Sequence, residues 1–512
     1  MELRPDDKSE KEQVQDYIEQ FSIESMLDEV LNSLLESRPA NPYTALSALI
    51  EAKTMPEIID IFIYPCIAEG GRGGVEVKVM TNLGEFSGMA GDLFEAPPGT
   101  DTLREFGVQQ VKISDAIKNI DPRNQKEVDD ALMSLEHIDT HLIVATSIAI
   151  CRAGARHSGK SLFNHIATQA ETIEQLPLPV LTAAQLQLGT DDVNNKLSQD
   201  IMLYPVSTTF FDGALESLVQ ASQFIKLALV EKLTPEPGIE EAHSSGEGSD
   251  SKAPHITYNT SGCCRVSGME LSELISIINS CVSANVSGEI KPAVEMSYTG
   301  ISKFVDDNVL YYPFGEASSE EGAELDGAGV IDNIMTMWRN TETVSIEDPL
   351  HPDDITSLRE LKNKVGTVMS EIRGDPSSSE LPYALSGVGR DDSCPLQIVA
   401  DEACQTASDL KKLTSEGVFN AVKIRMSKSK TVTAAIEMVK AARTAGWAVI
   451  VGCEEGSPEV YDSFIADLAV GTCAMQFQGG SMENAEHACK FNRLMQIFKE
   501  NDGMPFVQRD FR

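Results

Sequence analysis

Residues 419–426 read FNAVKIRM, residues 432–445 read VTAAIEMVKAARTA and residues 447–451 read WAVIV. The first and third are short apolar runs that are typical of buried strands, and the second has the length and composition of a helix. A strand, a helix and a second strand in this order form the repeating unit of a parallel α/β barrel. The same alternation continues through the second part of the chain, and we therefore expect an α/β barrel over residues 176–512.

Residues 58–175 are predicted to form a smaller α+β domain. Residues 75–79 (VEVKV) alternate like a strand with one exposed face, and residues 143–153 and 162–170 are typical of helices. Residues 154–161 (GARHSGKS) match the nucleotide-binding pattern GxxxxGK[ST]. That pattern requires a strand before its loop, so a helix at this place argues against ATP binding.

Residues 12–55 form a third predicted module made of helices. Apolar residues recur there at intervals of three and four: Ile18, Met26, Leu27, Val30, Leu31, Leu34 and Leu35. This spacing predicts one helix that ends at residues 38–42 (RPANP), before a second helix that carries Leu46, Leu49 and Ile50. Two short helices cannot bury such a stripe alone. The stripe from Met26 to Leu35 is therefore either a docking or dimer interface, or a face packed on the chain's own body.

The composition limits the classes of partner. The chain has 79 acidic and 41 basic residues and a formal charge of -38, so its average surface repels nucleic acid and anionic lipid. Neither a signal peptide nor a membrane span is visible, and ten irregularly spaced cysteines are typical of reduced thiols. Residues 234–254 are rich in Glu, Ser, Gly and Pro, which predicts a surface insertion. We expect a cytoplasmic protein that binds neither nucleic acid nor membranes.

Several segments, in order, resemble the enolase family over nearly everything after residue 58. Residues 148–155 (IAICRAGA) and 161–167 (SLFNHIA) are similar to the family's "SLAVCKAGA…PLYRHIA". Residues 195–206 (NKLSQDIMLYPV) are similar to "NKLAMQEFMILPV", and residues 463–471 (SFIADLAVG) to "TFIADLVVG". The resemblance implies a small α+β domain followed by an enolase-type (βα)8 barrel. It also implies a site at the carboxyl ends of the strands, where the family dehydrates 2-phosphoglycerate to phosphoenolpyruvate with magnesium.

The resemblance assigns part of a metal site. Glu347 and Asp401 match two of the family's three metal carboxylates, and the third falls near Glu295 or Ser297, where the register is open. Lys423 matches the lysine base. Two carboxylates without the third predict weak magnesium binding. The alternative is that Glu347 and Asp401 pair with Lys423 and stabilise the barrel mouth without catalysis.

Other family positions have lost their chemistry in this chain. The phosphate-binding arginine and serine correspond to Glu454 and Glu455, whose negative charges repel phosphate. The lysine that lowers the pKa of the base corresponds to Gln478. The remaining changes are Cys264 and Asp200 for two glutamates of the acid side, Ala90 for a serine that binds the second magnesium, and Asp192 for a histidine.

Residues 34–42 (LLESRPANP) resemble the RII docking-and-dimerisation module of cAMP-dependent protein kinase. That resemblance implies a homo- or heterodimer of helical hairpins that captures an amphipathic partner helix, often in ciliary assemblies. Its combination with an enolase-like body is similar to a divergent branch of the enolase family associated with sperm tails. We therefore expect a catalytically degenerate scaffold in a ciliary or flagellar axoneme. The alternatives are an active phosphopyruvate hydratase, and a lyase or isomerase that acts on a less anionic acid.

Overall fold

The structure is a computed structural model, and its description is confined to part of the chain. The described residues are 10–51, 53, 55–91, 102–172, 176–189, 198–205, 210–233, 255–258, 264–267, 269–286, 290–296, 302–305, 308–311, 325–374, 396–453, 458–501 and 504–506. The predicted insertion at residues 234–254 lies outside them, and so do Asp192, Ser297, Glu454 and Glu455.

Three helices come first: α1 (Glu10–Gln20), α2 (Ile23–Ser37) and α3 (Pro42–Glu51). The sequence predicted one helix up to Arg38, and this is wrong, because the backbone of Ser22 adopts a left-handed conformation with φ of 49° and separates α1 from α2. Arg38 is also left-handed and ends α2 as predicted. Asn41 Oδ1 accepts a hydrogen bond from the backbone N–H of Thr44 at 3.2 Å and so caps the start of α3.

A three-stranded antiparallel sheet and four helices follow. The elements are β1 (Ile58–Ile67), β2 (Gly73–Thr81), β3 (Gly84–Gly91), α4 (Thr102–Ile117), α5 (Gln125–Met133), α6 (Thr140–His157) and α7 (Leu162–Ala170), with β2 in the middle of the sheet. The predicted strand and both predicted helices are confirmed as β2, α6 and α7. Residues 158–161 form the turn from α6 to α7. The nucleotide-binding pattern therefore follows a helix and lacks the strand that it requires.

The remaining described elements alternate strands and helices. They are β4 (Val180–Gly189), β5 (Ser198–Pro205), α8 (Phe211–Leu233), β6 (His255–Tyr258), β7 (Cys264–Ser267), α9 (Leu271–Asn285), β8 (Ile290–Glu295), β9 (Ser302–Val305), β10 (Asn308–Tyr311), α10 (Gly327–Thr341), β11 (Ser345–Glu347), α11 (Ile355–Gly374), β12 (Gln397–Ala400), α12 (Ala407–Glu416), β13 (Ala421–Ile424), α13 (Met426–Ser429), α14 (Val432–Ala445), β14 (Ala448–Gly452), α15 (Phe464–Gly471), β15 (Gln476–Gln478) and α16 (Ala485–Glu500).

Eight of these strands close into a barrel in the order β4, β5, β8, β11, β12, β13, β14 and β15, with β15 pairing back to β4. Strand β5 runs antiparallel to both of its neighbours, and the other pairs in the ring are parallel. The predicted α/β barrel is confirmed. Because parallel strands end at the same edge, the carboxyl ends of β8, β11, β12 and β13 form one mouth.

Several hydrogen bonds and ion pairs join the small domain to the barrel, and two groups of them involve α6 and α5. Arg152 on α6 forms a two-pronged ion pair with Asp462, at 2.6 and 2.8 Å. Asp129 on α5 accepts hydrogen bonds from the backbone N–H and the hydroxyl of Thr433, at 2.9 and 2.6 Å, at the start of α14. Ser147 Oγ donates to the same carboxylate and accepts from the backbone N–H of Val432. These bonds hold the small domain against one side of the barrel.

Two predictions from composition can be compared with the described residues. Among the described helices, none has both the length and the apolar composition of a membrane span. The eight described cysteines are free thiols: Cys66, Cys151, Cys264, Cys281, Cys404, Cys453, Cys473 and Cys489.

Candidate functional site at the barrel mouth

Three buried carboxylates meet at the barrel mouth. Glu295 ends β8, Glu347 ends β11 and Asp401 directly follows β12, and these are successive strands of the ring. One carboxylate oxygen from each residue lies within 4.8 Å of the other two. We call these three residues the carboxylate cluster.

The register of the strands identifies the third carboxylate. Glu295 and Glu347 are direct partners in the parallel pairing of β8 with β11. This geometry places Glu295 where the sequence left a choice between Glu295 and Ser297. The register also determines the position of Asp200, because Asp200 on β5 is the direct antiparallel partner of Glu295. Directly opposed residues point to the same face of a sheet, so Asp200 lies beside the cluster.

Lys423 lies among the three carboxylates. Its side chain is fully buried, and its Nζ is 3.1 Å from Glu347, 3.7 Å from Asp401 and 3.8 Å from Glu295. Gly452 on β14 leaves room for this lysine, because a Cβ there would lie 2.6 Å from Cε of Lys423. The predicted pairing of Lys423 with Glu347 and Asp401 is thus present in the structure. Its catalytic or purely structural role stays a prediction.

Two further cations, Arg425 and Lys428, form ion pairs with Asp401. Neither was predicted from the sequence. Nε and Nη2 of Arg425 lie 3.0 and 2.8 Å from the two oxygens of Asp401, and Nζ of Lys428 lies 2.9 Å from Oδ1. Both cations also contact Glu402, at 2.7 and 2.8 Å. Although burial works against ionisation of Glu402, Lys428 and Arg425 hold the pKa of its carboxyl below the usual value. Their positions, two and five residues after Lys423, predict only that both lie near the same mouth, and they do not indicate Asp401 as the partner.

Asp348, next to Glu347, is held in an uncommon conformation. Its φ is 40°, and its carboxylate accepts hydrogen bonds from the backbone N–H groups of Asp401 and Glu402, at 3.1 and 2.9 Å. Burial, and then the negative charge of Asp401, raise the pKa of Asp348 to about 7. The hydrogen bonds join the end of β11 to the end of β12 and fix the backbone between two of the carboxylates.

The family positions that lost their chemistry fall in three surroundings. Gln478 on β15 is buried, and Gln478 and Lys423 both lie next to Gly452. Ala90 lines a mainly apolar cavity, open to solvent, between the small domain and the barrel mouth. Cys264 is packed in the hydrophobic core, where burial raises the pKa of its thiol. A neutral thiol in the core does not replace the negative charge of a glutamate.

The acidic and basic residues that line this cavity, Glu459, Asp462 and Lys490, are engaged in ion pairs. Nζ of Lys490 lies 2.8 Å from Glu459, and Arg152 holds Asp462. Met426 is a further apolar lining residue, from the segment after β13. The described part of the cavity therefore offers little to hold a phosphate.

The six predicted interface residues divide between two surfaces of α2. Val30 is buried at 1% exposure, and Met26 and Leu34 are half-buried. Leu27, Leu31 and Leu35 are exposed, at 40, 45 and 67%. The spacing of four residues puts these three leucines along one line of the helix. Their role as an interface stays a prediction.

The carboxylate cluster fits a magnesium ion by donor type, because hard divalent cations prefer carboxylate oxygens. Oδ2 of Asp401 is buried and accepts no hydrogen bond, although Nη2 of Arg425 lies 2.8 Å from it. Glu295, Glu347 and Asp401 would hold the ion, which would stabilise negative charge on a bound acid. Lys423, Arg425 and Lys428 compete for the same oxygens. The weak binding of magnesium stays a prediction, and its stated ground, a missing third carboxylate, is wrong, because Glu295 joins Glu347 and Asp401 in the cluster.

Comparison with known proteins agrees with this geometry. Residues 388–506 match the family model of the enolase C-terminal TIM barrel domain. Cytosolic enolase 3 of Arabidopsis thaliana is 24% identical over 514 residues, which are 95% of this chain and 96% of that protein. Enolase 2 of Hevea brasiliensis is 24% identical over 76% of this chain and 79% of its own length. An enolase of Solanum lycopersicum is 25% identical over 84% of this chain and 92% of its own length. The chain is therefore similar to enolases over most of its length, and its end matches their barrel domain.

Proposed function

We propose that this chain is a catalytically degenerate relative of the enolases that serves as a structural component of a ciliary or flagellar assembly. The main support for a loss of catalysis is that Lys423 forms ion pairs with three carboxylates at the barrel mouth. A lysine base must give up its proton to act, and three neighbouring negative charges stabilise the protonated form. Gln478, which replaces the second lysine, adds no positive charge to oppose this effect.

The second support is the loss of phosphate recognition. Ala90 and Cys453 line an apolar cavity whose charged residues are already paired. The family's phosphate-binding positions carry Glu454 and Glu455 in this sequence. A dianionic substrate would therefore lose the attraction that orients it, and orientation supplies much of the rate in such reactions.

The structural role rests on the N-terminal helices. Leu27, Leu31 and Leu35 present an exposed apolar line on α2, while Val30 is buried. A second copy of this chain, covering the same line on both partners, would bury these leucines in a symmetric interface. The ciliary location rests on the resemblance of residues 34–42 to the RII module, whose relatives act in such assemblies. A heterodimer or capture of an amphipathic partner helix is the other form that this interface would take.

The alternative function is a magnesium-dependent phosphopyruvate hydratase. It is favoured by the presence of all three buried carboxylates and Lys423 at one mouth, and by relatives that are named enolases. Formation of phosphoenolpyruvate from 2-phosphoglycerate with magnesium distinguishes the two functions, and the scaffold proposal expects none above background.

Self-association can be tested on the full chain with paired substitutions. The variant Leu31→Asp/Leu35→Asp changes only exposed side chains and should convert a dimer to a monomer in light scattering, with unchanged circular dichroism. The variant Tyr43→Asp, at a residue that is 83% exposed on α3, is a matched control for added surface charge. A wild-type chain that is monomeric at tens of micromolar, or a dimer that survives the leucine changes, would exclude this interface between two copies. Loss of incorporation of the leucine variant into cilia, with incorporation of the control, would support the assembly role.

A further inference from the structure

We propose that Arg425 and Lys428 are built-in counter-ions that take the charge-neutralising place of a divalent cation at the barrel mouth. The inference rests on the proposed function, because it names the residues through which the same site became independent of metal. It concerns binding, and it can be tested without any measurement of turnover.

Both oxygens of Asp401 are contacted by cations. The guanidinium of Arg425 faces both oxygens of this carboxylate, with its Nε 3.0 Å from Oδ1 and its Nη2 2.8 Å from Oδ2. The ammonium of Lys428 makes a further contact with Oδ1 at 2.9 Å. Asp401 is fully buried, so these cations, together with Lys423, supply the positive charge that a buried carboxylate requires.

Arg425 and Lys428 also change the net charge of the surrounding groups. The three carboxylates of the cluster carry three negative charges, and Lys423, Arg425 and Lys428 carry three positive ones, which sum to zero. Glu402, which contacts Arg425 and Lys428, leaves these seven groups with one net negative charge, to which the adjacent Asp200 adds another. Without Arg425 and Lys428 the same groups would carry three net negative charges beside oxygen donors, which is the setting that attracts magnesium or manganese.

Arg425 and Lys428 lie close to each other on the chain, just after β13. Arg425 directly follows β13, and Lys428 lies in α13, the single helical turn between β13 and α14. Both therefore lie in the segment that directly follows the strand of Lys423. Arg425 is buried, and the side chain of Lys428 is 13% exposed. An arginine that meets a carboxylate with two nitrogens is held in a fixed orientation, so displacing it from Asp401 costs more than displacing a flexible lysine.

Manganese binding by the full chain, measured by isothermal titration calorimetry and confirmed by electron paramagnetic resonance, tests the assignment. We expect the double variant Arg425→Gln/Lys428→Gln to bind one ion about tenfold or more tightly than the wild type, because two positive charges are removed. The single variant Lys428→Gln should show a smaller gain in the same direction, and it keeps the assignment testable if the double variant does not fold. Adding Asp401→Asn should abolish the gain.

Arg493→Gln is a charge-matched control. Arg493 pairs with Asp467, with nitrogen–oxygen distances of 2.7 Å, and this pair lies away from the cluster. The variant should therefore leave manganese affinity unchanged. Equal affinity of wild type and both counter-ion variants would overturn the assignment and leave the proposed function standing. Conversely, turnover of 2-phosphoglycerate by the wild type would overturn the proposed function, while a gain in manganese affinity in the variants would still support the assignment.

Discussion

Nζ of Lys423 lies 3.1 Å from Oε2 of Glu347, and this contact reaches across a strand, because β12 separates β13 from β11 in the barrel. The lysine that the family uses as a base is thus engaged with carboxylates from β8, β11 and β12, the three strands that lie on one side of its own strand in the ring. The contact links strands that share no backbone hydrogen bonds with each other. It therefore contributes to closing the barrel mouth as well as to its charge balance.

The Lys423→Met variant should be strongly destabilised. It removes the buried ammonium and leaves three carboxylates close together without this cation, and breaking a buried pair in this way costs about 3–5 kcal/mol. Urea unfolding followed by circular dichroism measures the loss. Adding Glu347→Gln removes the charge of one of the three carboxylates, which lessens their mutual repulsion and should recover part of the stability. A stability equal to that of the wild type for Lys423→Met would show that the ion pair is not structural.

Two arginines on α6 provide a comparison of buried and exposed ion pairs. Arg152→Met removes the two-pronged contact with Asp462 that joins the small domain to the barrel, and should cost about 2–3 kcal/mol. Arg156→Met removes an exposed contact with Glu51 and should cost less than about 0.5 kcal/mol. Chemical denaturation measures both values. Similar losses in the two variants would contradict the assignment of Arg152 as the interdomain link.

Neighbouring aspartates on α5 allow a second matched comparison. Asp129→Asn places an amide where Gln125, Ser147 and Thr433 all direct donors, and should destabilise the chain by about 2 kcal/mol. Asp130→Asn changes an exposed residue whose contact with Lys126 is at 3.4 Å, and should be nearly neutral. Hydrogen exchange should show faster opening at the start of α14 in the first variant alone. Unchanged protection there would argue against the contribution of Asp129 to holding the start of α14.

Buried His165 should contribute a pH dependence to stability. Burial, with a smaller effect of Lys160, lowers the pKa of its imidazole to about 4, and Gln169 lies 2.8 Å from its Nε2. The unfolded chain takes up a proton near pH 6.5 and the folded chain only near pH 4. The stabilising contribution is therefore complete above pH 6.5 and is lost as the pH falls toward 4, with a slope of up to about 1.4 kcal/mol per pH unit.

The His165→Gln variant should lack this component of the slope, while the rest of the acid denaturation curve remains. Equilibrium unfolding in urea at several pH values between 4 and 7 measures the difference between the two proteins. A difference that stays constant across this range would contradict the lowered pKa.

The barrel could be predicted from sequence because its strands and helices have distinct patterns. Residues 432–445 were predicted as a helix and form α14 with the same bounds, and residues 162–170 likewise form α7. The break at Ser22 was missed because the apolar spacing continues through it, and only the left-handed backbone separates the two helices. Local conformation at a single residue is weakly encoded in such a pattern.

The site was predicted in part. Glu347, Asp401 and Lys423 follow apolar runs and could be placed by resemblance, whereas the choice of Glu295 needed the register of β8 against β11. Arg425 was missed because its partner Asp401 is 24 residues away in sequence. Long-range ion pairs depend on how strands assemble, and a periodic pattern in one segment carries no information about them.

The most direct test of the central claim is the rate of magnesium-dependent formation of phosphoenolpyruvate from 2-phosphoglycerate. The purified full chain is assayed at millimolar magnesium beside its Glu347→Gln variant, with an ordinary enolase as the positive control. We expect wild type and variant to give the same background rate. A wild-type rate that exceeds this background, requires magnesium and is lost in Glu347→Gln would show that the site is an active hydratase.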